Sequence, residues 1–579
     1  MTPSPSTHGS TSPASRYLTV GLYLLLLLLI VSTTILGSVP PVDRDALTHH
    51  LFVPKLYLQH GGIYEIPEIP FSYYPMNLDL LYMIPLYFGN DIMPKYIHYL
   101  FALLTAWLIF RYLKANIGYL YALVGSLFFL SIPVIVKLSI TVYVDLGVVF
   151  FTTAALLFLL QWADDGFRYR HLILAGLCCG LAAGTKYNAL VAIVVLTLFV
   201  PIIYQRRAVQ SARSNTRALY FGFLFLAATI VSFSPWLVRN YLWTGNPIYP
   251  LHNTLIQNIV SAPDETGTSE ESIELSDTLK RVTKKGSNAF ISRKILYNEP
   301  WWQTLLLPIR FFFEGQDDDP RYFDGKLNPF LLLLPLIAII LKPTDTRQRF
   351  HLYIFLSFSF LYFFFTFFQE AMRIRYIVPV VPPLIILSMY GLKAISTRLF
   401  PITLSFPKNL FWSKAVILTL VCTALLYNSL YLREQFSAVN PFPYIFQKIS
   451  REDYITTYRP EFPVIQHANE TLSSDTKVLC IFLGNRGYYM NFKPLFEQPY
   501  SSTSVLTGFI NNFGKTENII SYLKQKGITH IIMNDNLTAG WYNQLNKEHQ
   551  KLVYPLFKNV ANPMKSLNGY SYIQIETQF

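Results

Sequence analysis

Asp45 and Asp145 are the residues whose type and setting best suit the handling of a proton, and Lys186, Arg373 and Arg375 are the cations best suited to holding an anion nearby. Each stands at the edge of an apolar run, where an ionisable side chain costs about 2.5–3.5 kcal/mol on insertion scales and so needs a partner, a wet cavity or a task. Asp45 lies in Pro40–Ile63, PPVDRDALTHHLFVPKLYLQHGGI, directly after the uncharged run Leu18–Leu36, in the company of Asp43, Arg44, His49, His50 and Lys55. Asp145 stands in SITVYVDLGVVFF, where one apolar run turns into the next with almost no polar loop, and Lys186 sits at a similar hairpin, AAGTKYNAL. In Glu370–Tyr376, EAMRIRY, two arginines face the mouth of VPVVPP. They run against the usual charge bias of membrane loops, and the planar guanidinium fork suits a phosphate. Arg239, in PWLVRNYLWTGNPIYP, is a weaker case of the same kind. Plainer roles stay open: helix caps for Asp45 and Asp145, snorkelling for Lys186, and salt bridges for the arginines, for example to Asp317–Asp319.

What must position these residues is a membrane scaffold. Of 579 residues 52% are hydrophobic and 14% charged, against about 25% charged in soluble domains. Long apolar runs separated by short polar clusters imply spanning helices, and the short alternating strands of a barrel are missing. The net charge of +13 falls in loops between apolar runs and forms no basic face, which is a topology signal and argues against nucleic acid. Hydropathy places about eleven spans, at Tyr17–Gly37, Tyr96–Leu113, Tyr119–Val136, Val144–Trp162, His171–Thr185, Tyr187–Tyr204, Ala218–Val238, Asn328–Leu341, His351–Phe368, Tyr376–Ile395 and Lys414–Leu432. With residues 1–16 in the cytoplasm, the basic loops around Arg111, Arg168, Arg206, Arg347 and Lys393 all fall on the inner side. Counting Phe71–Gly89 as a further span would reverse them, so it is expected to lie in the interface, broken by Pro75 and Pro85. Trp301–Phe313 reads the same way, with Asp317–Asp319 beyond it in water.

The expected organisation is therefore a transmembrane domain over 17–432, with outer loops 38–95 and 239–327, followed by an outer α/β domain over 433–579. In the latter, Lys477–Leu483, Ile528–Met533 and Tyr570–Ile575 read as strands and Thr516–Lys526 as a helix. The four cysteines have neither metal-ligand nor disulfide spacing. No internal repeat is evident. The polar stretch Ser261–Asn288 reads as a flexible loop, with gating of an acceptor as the alternative.

Carboxylates and cations on one side of a membrane fit the chemistry of a sugar joined to a lipid phosphate: the cations hold the leaving phosphate, and a carboxylate takes the proton of the incoming hydroxyl or amine. The chain resembles the GT-C class of integral-membrane glycosyltransferases, in the branch of protein O-mannosyltransferases and the aminoarabinose transferase of lipid A. The resemblance rests on DALTHHLFVPKLYLQHGGI (Asp45–Ile63), YPMNLDLLY (Tyr74–Tyr82), YVDLGVVFF (Tyr143–Phe151), Thr185–Leu190, RNYLWTGNPIYP (Arg239–Pro250) and RIRYIVPVVPPL (Arg373–Leu384). It implies an α-helical polytopic membrane protein with a small C-terminal soluble α/β domain. It also implies transfer of a sugar from a polyprenyl-phosphate donor to a glycan, lipid or protein acceptor on the outer face, by an inverting reaction. Carried over, Asp45 is the base and Asp145 the second acid. Lys186, Arg373 and Arg375, with Arg239, His50 and Lys55, are the candidate donor-phosphate ligands. Many relatives pair two adjacent acids where this chain has Arg44-Asp45-Ala46. Asp43-Arg44-Asp45 makes a D-x-D that would suit Mg or Mn, but the match begins at Asp45 and no cofactor is expected. The rival classes are a lipid-linked-sugar flippase, for which paired broken helices would be the sign, and a non-catalytic glycan-binding scaffold. A bacterial inner membrane is the expected location.

Overall fold

The computed structural model describes residues 13–209, 214–251, 289–366, 372–399, 408–497, 504–511, 519–558 and 563–575. The stretch Ser261–Asn288, residues Glu370 and Ala371, and most of the N-terminal segment lie outside them. The membrane half consists of α1 (Pro13–Gly37), α2 (Phe52–His60), α3 (Asn77–Tyr87), α4 (Met93–Asn116), α5 (Tyr119–Ser131), α6 (Pro133–Ser139), α7 (Asp145–Asp164), α8 (Tyr169–Ala183), α9 (Leu190–Arg207) and α10 (Asn215–Thr244). After these come α11 (Ala289–Tyr297), α12 (Trp301–Leu305), α13 (Leu307–Phe313), α14 (Phe330–Leu341), α15 (Thr346–Thr366), α16 (Val381–Ala394) and α17 (Lys408–Val439).

Every expected span has its helix. Among the described residues, eight helices are long and apolar enough to cross a membrane, α5 and α6 make a ninth as a bent pair, and α8 and α14 are shorter apolar helices. The span expected over Tyr119–Val136 is thus not one straight rod: it bends by 64° at Ile132. Pro133 is the cause, because its ring disfavours the helical conformation in the residue before it, and Ile132 is extended at φ −55°, ψ 130°. Pro85, expected to break the segment Phe71–Gly89, instead lies inside α3, which runs on to Tyr87. So near the C-terminal end, the missing N–H removes a single bond. α3 is not among the helices long and apolar enough to cross a membrane, and Trp301–Phe313 forms the two short helices α12 and α13, with Trp301 and Leu305 exposed.

Close backbone approach holds α8 against α10. A Cβ at Gly180 would lie 2.1 Å from the carbonyl oxygen of Thr229, and one at Gly176 2.6 Å from that of Phe225. Small residues at such crossings let helices meet without a hydrophobic driving force in lipid. Gly180→Ala should therefore push the pair apart and lower stability by about 1–3 kcal/mol, read as an earlier unfolding midpoint in detergent. An unchanged midpoint would mean that the helices separate at no cost.

The C-terminal part carries β1 (Lys477–Ile481), β2 (Lys493–Glu497), β3 (Ile528–Asn534), β4 (Lys565–Leu567) and β5 (Tyr570–Gln574), in spatial order β2-β1-β3-β5-β4. β1 is parallel to both neighbours, while β5 is antiparallel to β3 and β4. Leu479 and Ile481 pack on one face with Ile531, Met533, Leu523 and Trp541, and Val478 and Cys480 on the other with Ile465, Ala468 and Tyr572. Burial on both faces is why the strand reads as a continuous apolar run.

This sheet-bearing part is fastened to the loop after α1. Lys55 Nζ donates to the carbonyls of Tyr488 (2.9 Å) and Met490 (2.8 Å) and to Asn491 Oδ1 (3.1 Å). The Tyr488 N–H reaches Leu47 O at 3.1 Å, and the Tyr489 hydroxyl reaches Pro41 O at 2.8 Å. Arg451 pairs with Asp91 at 2.5 Å. Asp317, expected in water, instead accepts from the Tyr431 hydroxyl and from Gln435 on α17.

Candidate active site

The site begins with a single wide turn. Ala46–His50 is a π-helical segment, closed by the Leu51 N–H on Ala46 O at 2.9 Å. In an i→i+5 turn, residues four and five apart come to one side, which brings His49 and His50 beside Asp45. The Asp45 side chain makes no capping hydrogen bond. Its Oδ2 instead accepts from Arg375 Nη1 at 2.5 Å. Arg375 stands at the start of the 3-10 segment Ile374–Val380 that leads into α16, with its guanidinium carbon 5.2 Å from the Tyr143 ring centre and 5.4 Å from that of Tyr376.

A second charge pair lies across Tyr376. Lys186 Nζ is 5.5 Å from that ring and donates to Asp145 Oδ1 at 2.7 Å. Asp145 opens α7 but does not cap it; the free Leu146 N–H is taken by His98 Nε2 at 3.0 Å, while His98 Nδ1 donates to Thr141 O at 3.1 Å. His98 thus fills the place of an N-cap and leaves the Asp145 carboxylate for other work. His50 Nδ1, beside Asp45 on the same turn, meets Asp79 Oδ1 of α3 at 2.7 Å, with both side chains buried. The His49 and His50 ring centres lie 4.0 Å apart with the planes tilted by 46°.

Several polar atoms here have no partner among the described residues: Asp145 Oδ2, Arg375 Nε and His49 Nδ1 are all buried without a hydrogen bond to them. Buried polar groups are nearly always satisfied, so a cluster of exceptions asks for an explanation such as water or ligand. Electrostatics sharpen the picture. Burial alone would raise the pKa of Asp45, but Arg375, with help from His49 and His50, more than offsets it and holds the carboxyl well below its usual range. Burial presses His49 well below the ordinary imidazole value, sends His50 down to about 3, and lifts Asp79 to about 7. Below about pH 7 the His50–Asp79 pair then holds one shared proton and no net charge, and above it Asp79 is a carboxylate beside a neutral imidazole.

Of the residues singled out in the sequence, the fold gathers Asp45, Asp145, Lys186, Arg375 and His50. It does not bring the others in. Lys55 is engaged by the C-terminal loop, and Arg373 pairs with Asp324 at 3.4 Å. Arg239 is sandwiched between Trp236 and Trp243, at 4.5 and 4.8 Å, and donates to Tyr73 O at 2.6 Å. Of the D-x-D pair, Asp43 is half-buried and the Asp45 carboxylate faces the Arg375 guanidinium. No group of three or more His, Cys, Asp or Glu side chains converges among the described residues. Asp79 and His98 were not picked out from the sequence. For Asp79 the signal was present, a lone carboxylate in the apolar stretch NLDLLYMIPLY.

Comparison with known proteins bears on this site. The family model of dolichyl-phosphate-mannose-protein mannosyltransferases matches residues 63–244, a segment that holds Asp79, Asp145 and Lys186 but neither Asp45 nor Arg375. No curated protein sequence matches the chain. Among solved structures, ArnT from Cupriavidus metallidurans in the apo state has a TM-score of 0.55 at 12% identity, covering 97% of this chain and 98% of that one. The same protein bound to undecaprenyl phosphate gives 0.54 at 13% identity, covering 97% and 99%. An oligosaccharyltransferase of Archaeoglobus fulgidus in complex with Zn and sulfate gives 0.52 at 11% identity, covering 92% of this chain and 70% of that one. The family model thus matches a segment that includes Asp145 and Lys186, and the chain shares its fold from end to end with ArnT.

Proposed function

We propose that the chain moves a sugar from a polyprenyl-phosphate donor to an acceptor hydroxyl or amine at the outer face of the membrane, with Asp45 as the base. One observation carries this reading: two carboxylate–cation pairs, Asp45 with Arg375 and Asp145 with Lys186, flank Tyr376 and leave Arg375 Nε and Asp145 Oδ2 unsatisfied. A phosphate ester entering there meets two cations, one with a donor to spare. The leaving phosphate gathers charge as the sugar–oxygen bond breaks, and cations fixed beforehand stabilise that charge most in the transition state. Asp45 lies against Arg375, so the acceptor it deprotonates attacks next to the departing phosphate. Asp145 is placed to orient the acceptor or to face positive charge on the sugar. One displacement without a covalent sugar–enzyme intermediate inverts the sugar.

Support for the donor class comes from the relatives: the matched family is described by dolichyl-phosphate-mannose, and one ArnT structure holds undecaprenyl phosphate. The mechanism is drawn without a metal. We place the N-terminus in the cytoplasm and the sheet-bearing domain outside on the distribution of basic loops, and the membrane as a bacterial inner membrane on the resemblance to the GT-C class. The test is purified protein in detergent with a panel of radiolabelled polyprenyl-phosphate sugars. One donor should be consumed, with label passing to membrane extract or released as water-soluble sugar. Tight binding of a donor that is never consumed would overturn catalysis in favour of transport or scaffolding.

A further inference from the structure

The ion pair between Asp45 and Arg375 poses a problem for the reaction proposed above, and the buried pair beside it answers that problem. A carboxylate held at 2.5 Å from a guanidinium removes a proton only if the proton can move on, because Arg375 favours the ionised form. Two features point to where it goes. The π turn puts His50 on the same side as Asp45, and Asp79 fixes the His50 ring through Nδ1 at 2.7 Å, with both side chains at most 6% exposed. A ring held through Nδ1 on a carboxylate presents Nε2 as its free acceptor. Nε2 of His50 makes no hydrogen bond among the described residues and is not among the sealed, unpartnered atoms.

We propose that His50, braced by Asp79, is the relay that takes the acceptor's proton onward from Asp45; this rests on the function proposed above. As the new bond from acceptor oxygen to sugar carbon forms and the bond from that carbon to the phosphate oxygen breaks, the acceptor's proton passes to the Asp45 carboxylate. From there it moves to His50 Nε2, which restores Asp45 as carboxylate beside Arg375. The imidazolium is held by the Asp79 carboxylate until its proton exchanges with solvent, and the phosphate leaves with the electron pair of the broken bond. Asp79 acts only through His50 and is a positioning residue. The relay needs Asp79 ionised at the start of each turnover. The groups facing the pair are Asp45 and His49 on its own turn, Tyr57 on α2, Tyr82 on α3, His98 on α4, Tyr143, Asp145 on α7, and Lys186 and Arg375.

The experiment uses the full chain and the donor found active with wild type. Wild type should lose rate on acidification through about pH 7; Asp79→Asn should remove that fall and lower kcat by about 10²-fold with the KM for donor unchanged. His50→Ala should lose transfer but regain it with added imidazoles, in proportion to their basicity, while Asp45→Asn regains nothing. Binding of undecaprenyl phosphate, retained in all three variants, reports that each is folded. Wild-type kcat and an unaltered pH profile in Asp79→Asn, or rescue of His50→Ala that ignores imidazole basicity, would overturn the relay while leaving the parent reading intact. Failure of wild type to consume any donor would bring down both.

Discussion

Asp45→Asn is expected to cut sugar transfer by about 10²–10⁴-fold, the range that a positioned general base contributes, while undecaprenyl phosphate still binds. An amide cannot take the acceptor's proton, yet its oxygen still accepts from Arg375 Nη1 where the carboxylate does now. The guanidinium should therefore stay in place and the loss should fall on kcat. Steady-state transfer and equilibrium binding, measured on the same preparation, separate the two quantities. Transfer within a few-fold of wild type would reduce Asp45 to a tether for Arg375 and move the base elsewhere.

The second large effect concerns stability. Lys186→Met should destabilise the folded protein by about 3–5 kcal/mol, the usual result of stranding one member of a buried ion pair. Asp145 is almost fully buried, its Oδ1 is paired with Lys186, and its Oδ2 has no partner among the described residues. Adding Asp145→Asn should restore most of the loss, since no charge is then stranded. Unfolding midpoints of the two single variants and the double, in one detergent, complete the cycle. Equal midpoints for Lys186→Met and wild type would mean that Asp145 finds another cation, with Arg375 the nearest at hand.

The parts of this molecule that were readable in the chain are those set by local composition. Apolar runs marked every membrane helix, including the short α8 and α14, because hydropathy alone places a segment in lipid. β1 was legible because both its faces are buried. The kink at Ile132 was written in Pro133 but vanished in a window that averages over a whole span. Charged residues were legible as costs and not as pairings. Arg375 could be seen to need an anion, but that the anion is a carboxylate 330 residues earlier is a fact of packing. Lys55 and Arg373 looked like phosphate ligands by the same rule, and the fold satisfied them with backbone carbonyls and with Asp324 instead. Asp79 escaped notice because its segment was read as an interfacial helix, whereas α3 turns that carboxylate inward onto His50.

The hold of the C-terminal loop on Lys55 also bears on how the protein is made. Lys55 emerges early, but the oxygens it binds belong to residues 433 and more positions later, and Pro41 waits still longer for Tyr489. At ribosomal rates of about 5–20 residues per second, the turn bearing Asp45 stays unfastened for roughly 20–90 s after it is synthesised. A chain cut short before Tyr488 would hold all the charged residues of the site and still lack the carbonyls that Lys55 binds. The turn bearing Asp45 therefore depends for its fastening on chain that is synthesised long after it.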